Sequence, residues 1–158
     1  MAVTQLGYFG YQVCDWDAWR RIATEIIGFE IVETGTGPMY LRIDERHHRI
    51  ALYPGNADKL EYIGWEAPDP EALEDVAGRV KSAGIEVHPG TDAECGARKV
   101  KRLVKFRDPN GFPVEVYTAP EIDTRPLLPT RPSASNNPGV RADGAAGRPR
   151  ADPQAPGK

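Results

Sequence analysis

The stretch Tyr8-Phe9-Gly10-Tyr11, followed four residues later by Asp15, recurs as Tyr62-Ile63-Gly64-Trp65, followed four residues later by Asp69. The offset of 54 residues also superposes Ala18 on Ala72 and Ala23 on Ala77. After a two-residue slip, Gly28-Phe29-Glu30-Ile31 falls on Gly84-Ile85-Glu86-Val87. Such recurrence marks supersecondary units that cannot bury their apolar faces alone. With only two copies in 158 residues, the expected outcome is one domain folded from two similar halves.

Both copies carry the same order of elements. In the first, residues 6–13 alternate as a strand does and Asp15 offers an N-cap carboxylate. Trp16, Trp19, Ile22, Ala23 and Ile26 follow at helical spacing, which predicts a helix with one buried face. Gly28 supplies the left-handed residue that ends it, and 29–32 opens a second strand. After the break Gly35-Thr36-Gly37-Pro38, the runs 39–43 and 49–53 are β-prone. In the second copy, 60–66 is the strand, Asp69 the N-cap and Pro70 the first helical residue. Leu73, Val76, Ala77 and Val80 form the buried stripe, Gly84 closes the helix, and 85–88, 102–107 and 113–118 are strands. Asn110-Gly111, within Asp108-Pro109-Asn110-Gly111, favours the positive φ values of a tight hairpin. The predicted class is α+β: two βαβββ modules, about 4–56 and 58–118, making one domain over residues 1–118.

Beyond residue 118 the composition changes. Residues 119–158 are crowded with Pro, Gly, Ser, Asn and Arg and have almost no aromatic or β-branched side chains. Too little apolar surface is available there to offset the entropy of ordering, so a disordered tail is expected. The tail holds six basic and four acidic residues, which leaves −5 of the net −3 to the body. A mildly acidic body argues against a nucleic-acid surface. The first residues show no basic and apolar leader, and no stretch approaches a bilayer-spanning length. A soluble, cytoplasmic protein without membrane or nucleic-acid partners is therefore expected. Cys14 and Cys95 match no metal-ligand spacing and are too few to staple a small secreted fold, so both are expected as reduced thiols. Phosphate-loop, nucleophile-elbow and dinucleotide-binding glycine motifs do not occur.

Paired βαβββ modules of this size resemble the vicinal oxygen chelate superfamily. The segments Leu6-Gly7-Tyr8-Phe9-Gly10, Ile43-Asp44-Glu45-Arg46, Arg49-Ile50-Ala51-Leu52 and Asp108-Pro109-Asn110-Gly111-Phe112-Pro113-Val114-Glu115 look most like the N-terminal domain of the type I extradiol dioxygenases. The resemblance covers about residues 4–118 and implies the cupped mixed sheet of the glyoxalase, bleomycin-resistance and dihydroxybiphenyl-dioxygenase fold. It also implies two such domains in the whole enzyme, with Fe(II) in the C-terminal one, bound by two histidines and a glutamate. This chain resembles the half without the metal.

A non-haem Fe(II) that must hold a catechol and O₂ needs three ligands on one face and open positions on the other. In the superfamily those ligands come from the first strand of each module and the last strand of the second, which here means Tyr8, Tyr62 and Glu115. Glu115 is the one family-type ligand retained. A phenol with an ordinary pKa near 10 is a poor ligand at neutral pH, so no metal and no other cofactor is expected for this chain. The competing reading has both tyrosines filling the cup, with a hydroxyl bonded to Glu115 or to water.

His47 and His48, in Asp44-Glu45-Arg46-His47-His48-Arg49, look like the stretch where the family's catalytic domain has a proton-transferring histidine. His48 is thus the candidate catalytic residue, and the competing reading is a solvated surface pair. His88, before Pro89-Gly90, reads as a loop residue. Arg98, Lys99, Lys101 and Arg102 follow a flexible stretch and read either as a receiver of an acidic ligand or as a solvated loop face. Two functions are open. One is the N-terminal, inactive portion of a catechol or biphenyl ring-cleaving dioxygenase. The other is a stand-alone binding module for a small aromatic ligand, of the bleomycin-resistance type, with Tyr8, Tyr11, Tyr62, Trp65, Glu115 and Tyr117 as the pocket. A bare face where a second domain would pack predicts a homodimer.

Overall fold

The computed structural model describes residues 2–128 except 34 and 36. The first copy runs β1 (Gln5–Val13), α1 (Trp16–Arg21), β2 (Glu30–Glu33), β3 (Met39–Arg42) and β4 (Ile50–Pro54). The second runs β5 (Lys59–Glu66), α2 (Pro70–Ser82), β6 (His88–Pro89), α3 (Asp92–Arg98), β7 (Val100–Arg107) and β8 (Pro113–Pro120). All strands join one sheet in the order β2-β3-β4-β1-β5-β8-β7-β6. That order reads alike from both ends. In each copy the first strand pairs in parallel with the last, β1 with β4 and β5 with β8, and the copies meet through antiparallel β1 and β5. The expected α+β pairing of modules is the observed one.

One face of the sheet carries the helices. Val13, Ala23, Met39, Leu41 and Leu52 pack with Trp16 and Trp19 under α1, while Ala67, Leu73, Ala77, Val104 and Val116 pack under α2. Asp15 and Asp69 cap these helices through the amides of Ala18 and Ala72, as their matched positions require. The opposite face curls into a cup lined by Tyr8, Tyr40, Tyr62, Leu103 and Tyr117.

Four expectations need correction. The α-periodic stripe of the first helix breaks, because α1 widens into a π-helical segment over Ile22–Ile27 before Gly28 ends it at φ 89°. The wider turn rotates Ile22, Ile26 and Ile27 out of the core, and Ile26 is 58% exposed. The strand expected at 85–88 reduces to His88–Pro89. The loop at 108–112 is not a mirror-type hairpin, since Gly111 (φ 84°) takes a positive φ and Asn110 does not. The Asp108 carboxylate accepts the amides of Asn110 and Phe112 and shapes the turn instead.

The fourth concerns the tail. Residues 129–158 lie outside those described, but 119–128 do not detach from the domain. Ile122 bridges to Arg46, and Asp123 donates its amide to the Glu45 carbonyl at 2.7 Å. The Arg42 guanidinium, 1% exposed, bonds the carbonyls of Asp123 and Arg125 and the carboxylate of Glu30. A buried side-chain clasp on β2 and β3 thus orders a segment whose own composition gives no reason for order.

Candidate functional site

The cup is built by reciprocal placement. Tyr8 faces Gly64 and Gly10 faces Tyr62 in the β1–β5 register. A Cβ on either glycine would collide with the tyrosine ring opposite, so each copy's glycine makes room for the other copy's tyrosine. Gly7 does the same for Tyr117. Tyr8 then stacks on Tyr117 with centroids 4.7 Å apart and meets Tyr62 edge-on at 5.8 Å.

At the centre lies Glu115 of β8, 2% exposed. Its Oε2 accepts the Tyr8 hydroxyl at 2.8 Å and the Arg98 Nε at 3.2 Å, and its Oε1 accepts Arg98 Nη2 at 2.9 Å. The same guanidinium lies over the Tyr62 ring, 3.7 Å from its centroid. Tyr53 and Tyr62 share a hydroxyl hydrogen bond of 2.8 Å. Arg98 reaches this point from the end of α3, a helix that begins with a full capping box of Thr91 and Glu94. The helix is held to the cup by Tyr40, whose hydroxyl donates to the Ala97 carbonyl, and by Lys105 paired with Glu94.

Electrostatics follow from burial. Burial and then the neighbouring Glu115 carboxylate push the Tyr8 phenol well above its ordinary value, and burial raises Tyr62 and Tyr117 too. Arg98 is raised despite burial, by its bonds to Glu115. All three phenols are therefore neutral, and the carboxylate is already satisfied by a cation.

Fe(II), which the fold family implies, does not fit this donor set. Tyr8 and Tyr62 are held as neutral phenols, Glu115 has both oxygens engaged, and a guanidinium stands where added positive charge would have to enter. Among the described residues no group of three His, Cys, Asp or Glu converges.

A second polar cluster covers the other end of the cup. Arg46 Nη2 donates to both carboxylate oxygens of Glu66, which also accepts the Tyr117 hydroxyl at 3.0 Å. His48 is not the solvated residue of the alternative reading. It is 4% exposed, packs on Tyr40 with centroids 4.3 Å apart, and has its Nδ1 3.0 Å from that of His47. Burial, then the neighbouring His47, Arg98 and Lys99, pull its pKa down to about 3, so the imidazole is neutral across the physiological range. His88, by contrast, is exposed.

Of the pocket residues anticipated, Tyr8, Tyr62, Glu115 and Tyr117 meet in the cup. Tyr11 and Trp65 do not. Strand alternation sends them to the other face, where Tyr11 packs near Trp19 and Trp65 lies opposite Leu6 at 37% exposure. The basic run 98–102 does not by itself distinguish Arg98 from its neighbours or mark α3. The available signal was Thr91-Asp92-Ala93-Glu94, a capping box that argues for a helix rather than a flexible loop. The crevice beside Tyr8, His48, Arg98 and Tyr117 holds about 10 Å³, room for about one water. At the cup's rim a more open hollow of about 440 Å³ is lined by Gln12, Tyr53, Pro54, Glu61, Tyr62 and Arg98.

This sheet order, with two βαβββ halves curled around a polar centre, defines the vicinal oxygen chelate fold. Residues 6–55 match the family model described as Dihydroxybiphenyl dioxygenase BphC D1. Biphenyl-2,3-diol 1,2-dioxygenase of Sphingomonas paucimobilis is 42% identical over 134 residues, covering 84% of this chain and 45% of that protein. The 1,2-dihydroxynaphthalene dioxygenase of Sphingobium xenophagum is 44% identical over 133 residues, covering 83% and 45%. A crystal structure of catechol 2,3-dioxygenase superposes with a TM-score of 0.79 at 43% identity, covering 82% of this chain and 46% of that one. Over these matched stretches the chain is similar to the N-terminal domain of the type I extradiol dioxygenases. It spans about half the length of the curated relatives it matches.

Proposed function

We propose that this chain serves as the metal-free half of an extradiol ring-cleaving dioxygenase of aromatic catabolism and does not cleave a catechol by itself. The supporting observation is the bidentate Arg98–Glu115 pair, which engages the one family-type ligand present. A ring-cleaving centre must hold two catechol oxygens and O₂ at open metal positions, and around Glu115 the cup offers neither a suitable donor set nor more room than a crevice of about 10 Å³. Its contribution to such an enzyme is a domain with a packed cup centre beside the catalytic one. The test is an assay of the chain with 2,3-dihydroxybiphenyl after anaerobic loading with Fe(II). Formation of the yellow ring-fission product would contradict the proposal.

The rival reading, an aromatic ligand sequestered inside the cup, finds less support. The rings that were to line a pocket pack on one another, and the crevice of about 10 Å³ is far below the several hundred Å³ of a typical ligand pocket. The rim hollow remains the place where a ligand would be sought.

Two further parts of the proposal are a two-fold dimer and a cytoplasmic location. Exposed Leu6 and Trp65 on the helix-bearing face, with Ile26 and Ile27 at the end of the π-helical segment, support pairing with another copy. The location is supported by the two free thiols. No helix among the described residues is long and apolar enough to cross a membrane.

A further inference from the structure

The centre of the cup has the make-up of a cation cage. A buried carboxylate presents both oxygens to one guanidinium, and the ring of Tyr62 presents its negative face to the same group at 3.7 Å. Tyr8 completes the carboxylate's shell by donating its hydroxyl to Oε2, the oxygen that also accepts Arg98 Nε. Such a set is shaped for a flat or rounded organic cation, which is weakly hydrated and gains from ring faces. It is unsuited to a divalent metal, which needs several charged or lone-pair donors converging on a point.

The occupant is supplied by the chain itself. Arg98 is the last residue of α3, a helix of which no residue is fully buried and which is otherwise tied to the cup by the polar contacts of Tyr40 and Lys105 and by the half-buried Cys95. The rim hollow beside Tyr53 and Tyr62 opens onto the same guanidinium, so a small solute can approach it from solvent. We propose that the cup centre is an organic-cation site, formed by Glu115 and Tyr62 with Tyr8, in which Arg98 is the resident ligand and for which an alkylguanidinium is the matching free ligand. The proposal goes beyond the role in a ring-cleaving enzyme and does not depend on it.

Chemical rescue tests it on the full chain. Arg98→Ala should lower Tm. Millimolar ethylguanidinium should restore it by roughly 4 °C or more, while leaving the unsubstituted chain unmoved. N-ethylurea, the neutral isostere, should do nothing. Ethylguanidinium should also fail with Arg98→Ala/Glu115→Gln. Co(II) or Zn(II) rescuing Arg98→Ala as well as ethylguanidinium does, or equal rescue with and without Glu115, would overturn the proposal. If Arg98→Ala does not fold, Arg98→Lys and Arg98→Gln decide. The lysine variant, which keeps the cation, should have the higher Tm, and equal values would overturn the inference.

Discussion

Tyr8 of the first copy lies over Gly64 of the second, directly across the central β1–β5 pairing. Tyr62 lies over Gly10 in the same way. The recurring Tyr-x-Gly is therefore not two independent motifs but one reciprocal contact, in which each half supplies the ring that covers the other half's bare backbone. The duplication visible in the sequence is held in place by this exchange.

Adding a methyl group at either glycine tests the exchange. Gly64→Ala or Gly10→Ala forces the opposite ring out of its stack, and overpacking of this kind costs typically about 1–3 kcal/mol. Denaturant unfolding should show a loss in that range for both. A neutral effect at both positions would mean that the rings have room to yield.

His48 makes stability depend on pH. The native imidazole binds its proton only near pH 3, whereas an unfolded histidine does so near 6.5. Between these values the unfolded chain binds more protons, so stability falls as pH drops through that window. The expected loss at pH 5 relative to pH 7.5 is about 2 kcal/mol from this residue. It should vanish in His48→Gln. The difference between the two unfolding profiles isolates it from other groups, and parallel profiles would show that His48 titrates normally.

The clasp of Arg42 on residues 121–128 gives a third prediction. Removing one partner of a buried ion pair leaves the other uncompensated and costs about 3–5 kcal/mol. Arg42→Leu strands the Glu30 carboxylate and frees the carbonyls of Asp123 and Arg125. Limited proteolysis should then cut within 119–128, where the unsubstituted chain resists. Equal resistance would assign the order of that segment to the Arg46–Ile122 bridge instead.

The fourth concerns α3. Thr91→Ala removes the side-chain half of its capping box and should cost about 1 kcal/mol. Because Arg98 hangs from the far end of this helix, the same variant should speed amide exchange at residues 92–98. A change confined to Thr91 itself would show that the latches at Tyr40 and Lys105 suffice.

The pairing of two βαβββ halves could be read from the sequence because its signals are local: capping aspartates at matched positions, helix-ending glycines and alternating strands. Strand alternation also places Tyr8, Tyr62, Glu115 and Tyr117 on one face, though Tyr11 and Trp65 violate a count that treats all strand aromatics alike. What the sequence hid depends on distant partners. Arg98 stands in a basic run that looks solvated, and only the β7–β8 hairpin and α3 together bring it to Glu115. Ile22 and Ile26 carried the right period, but the π-helical widening shifts their phase. The order of residues 119–128 is imposed by Arg42, some eighty positions earlier, and leaves no trace in the segment's own composition.

The central claim is that Arg98, rather than a metal, satisfies Glu115. Equilibrium dialysis of the full chain against Fe(II) under anaerobic conditions, followed by metal analysis, measures it most directly. The account predicts iron far below one equivalent, unchanged by Glu115→Gln. One equivalent of tightly held iron, lost on Glu115→Gln, would contradict it.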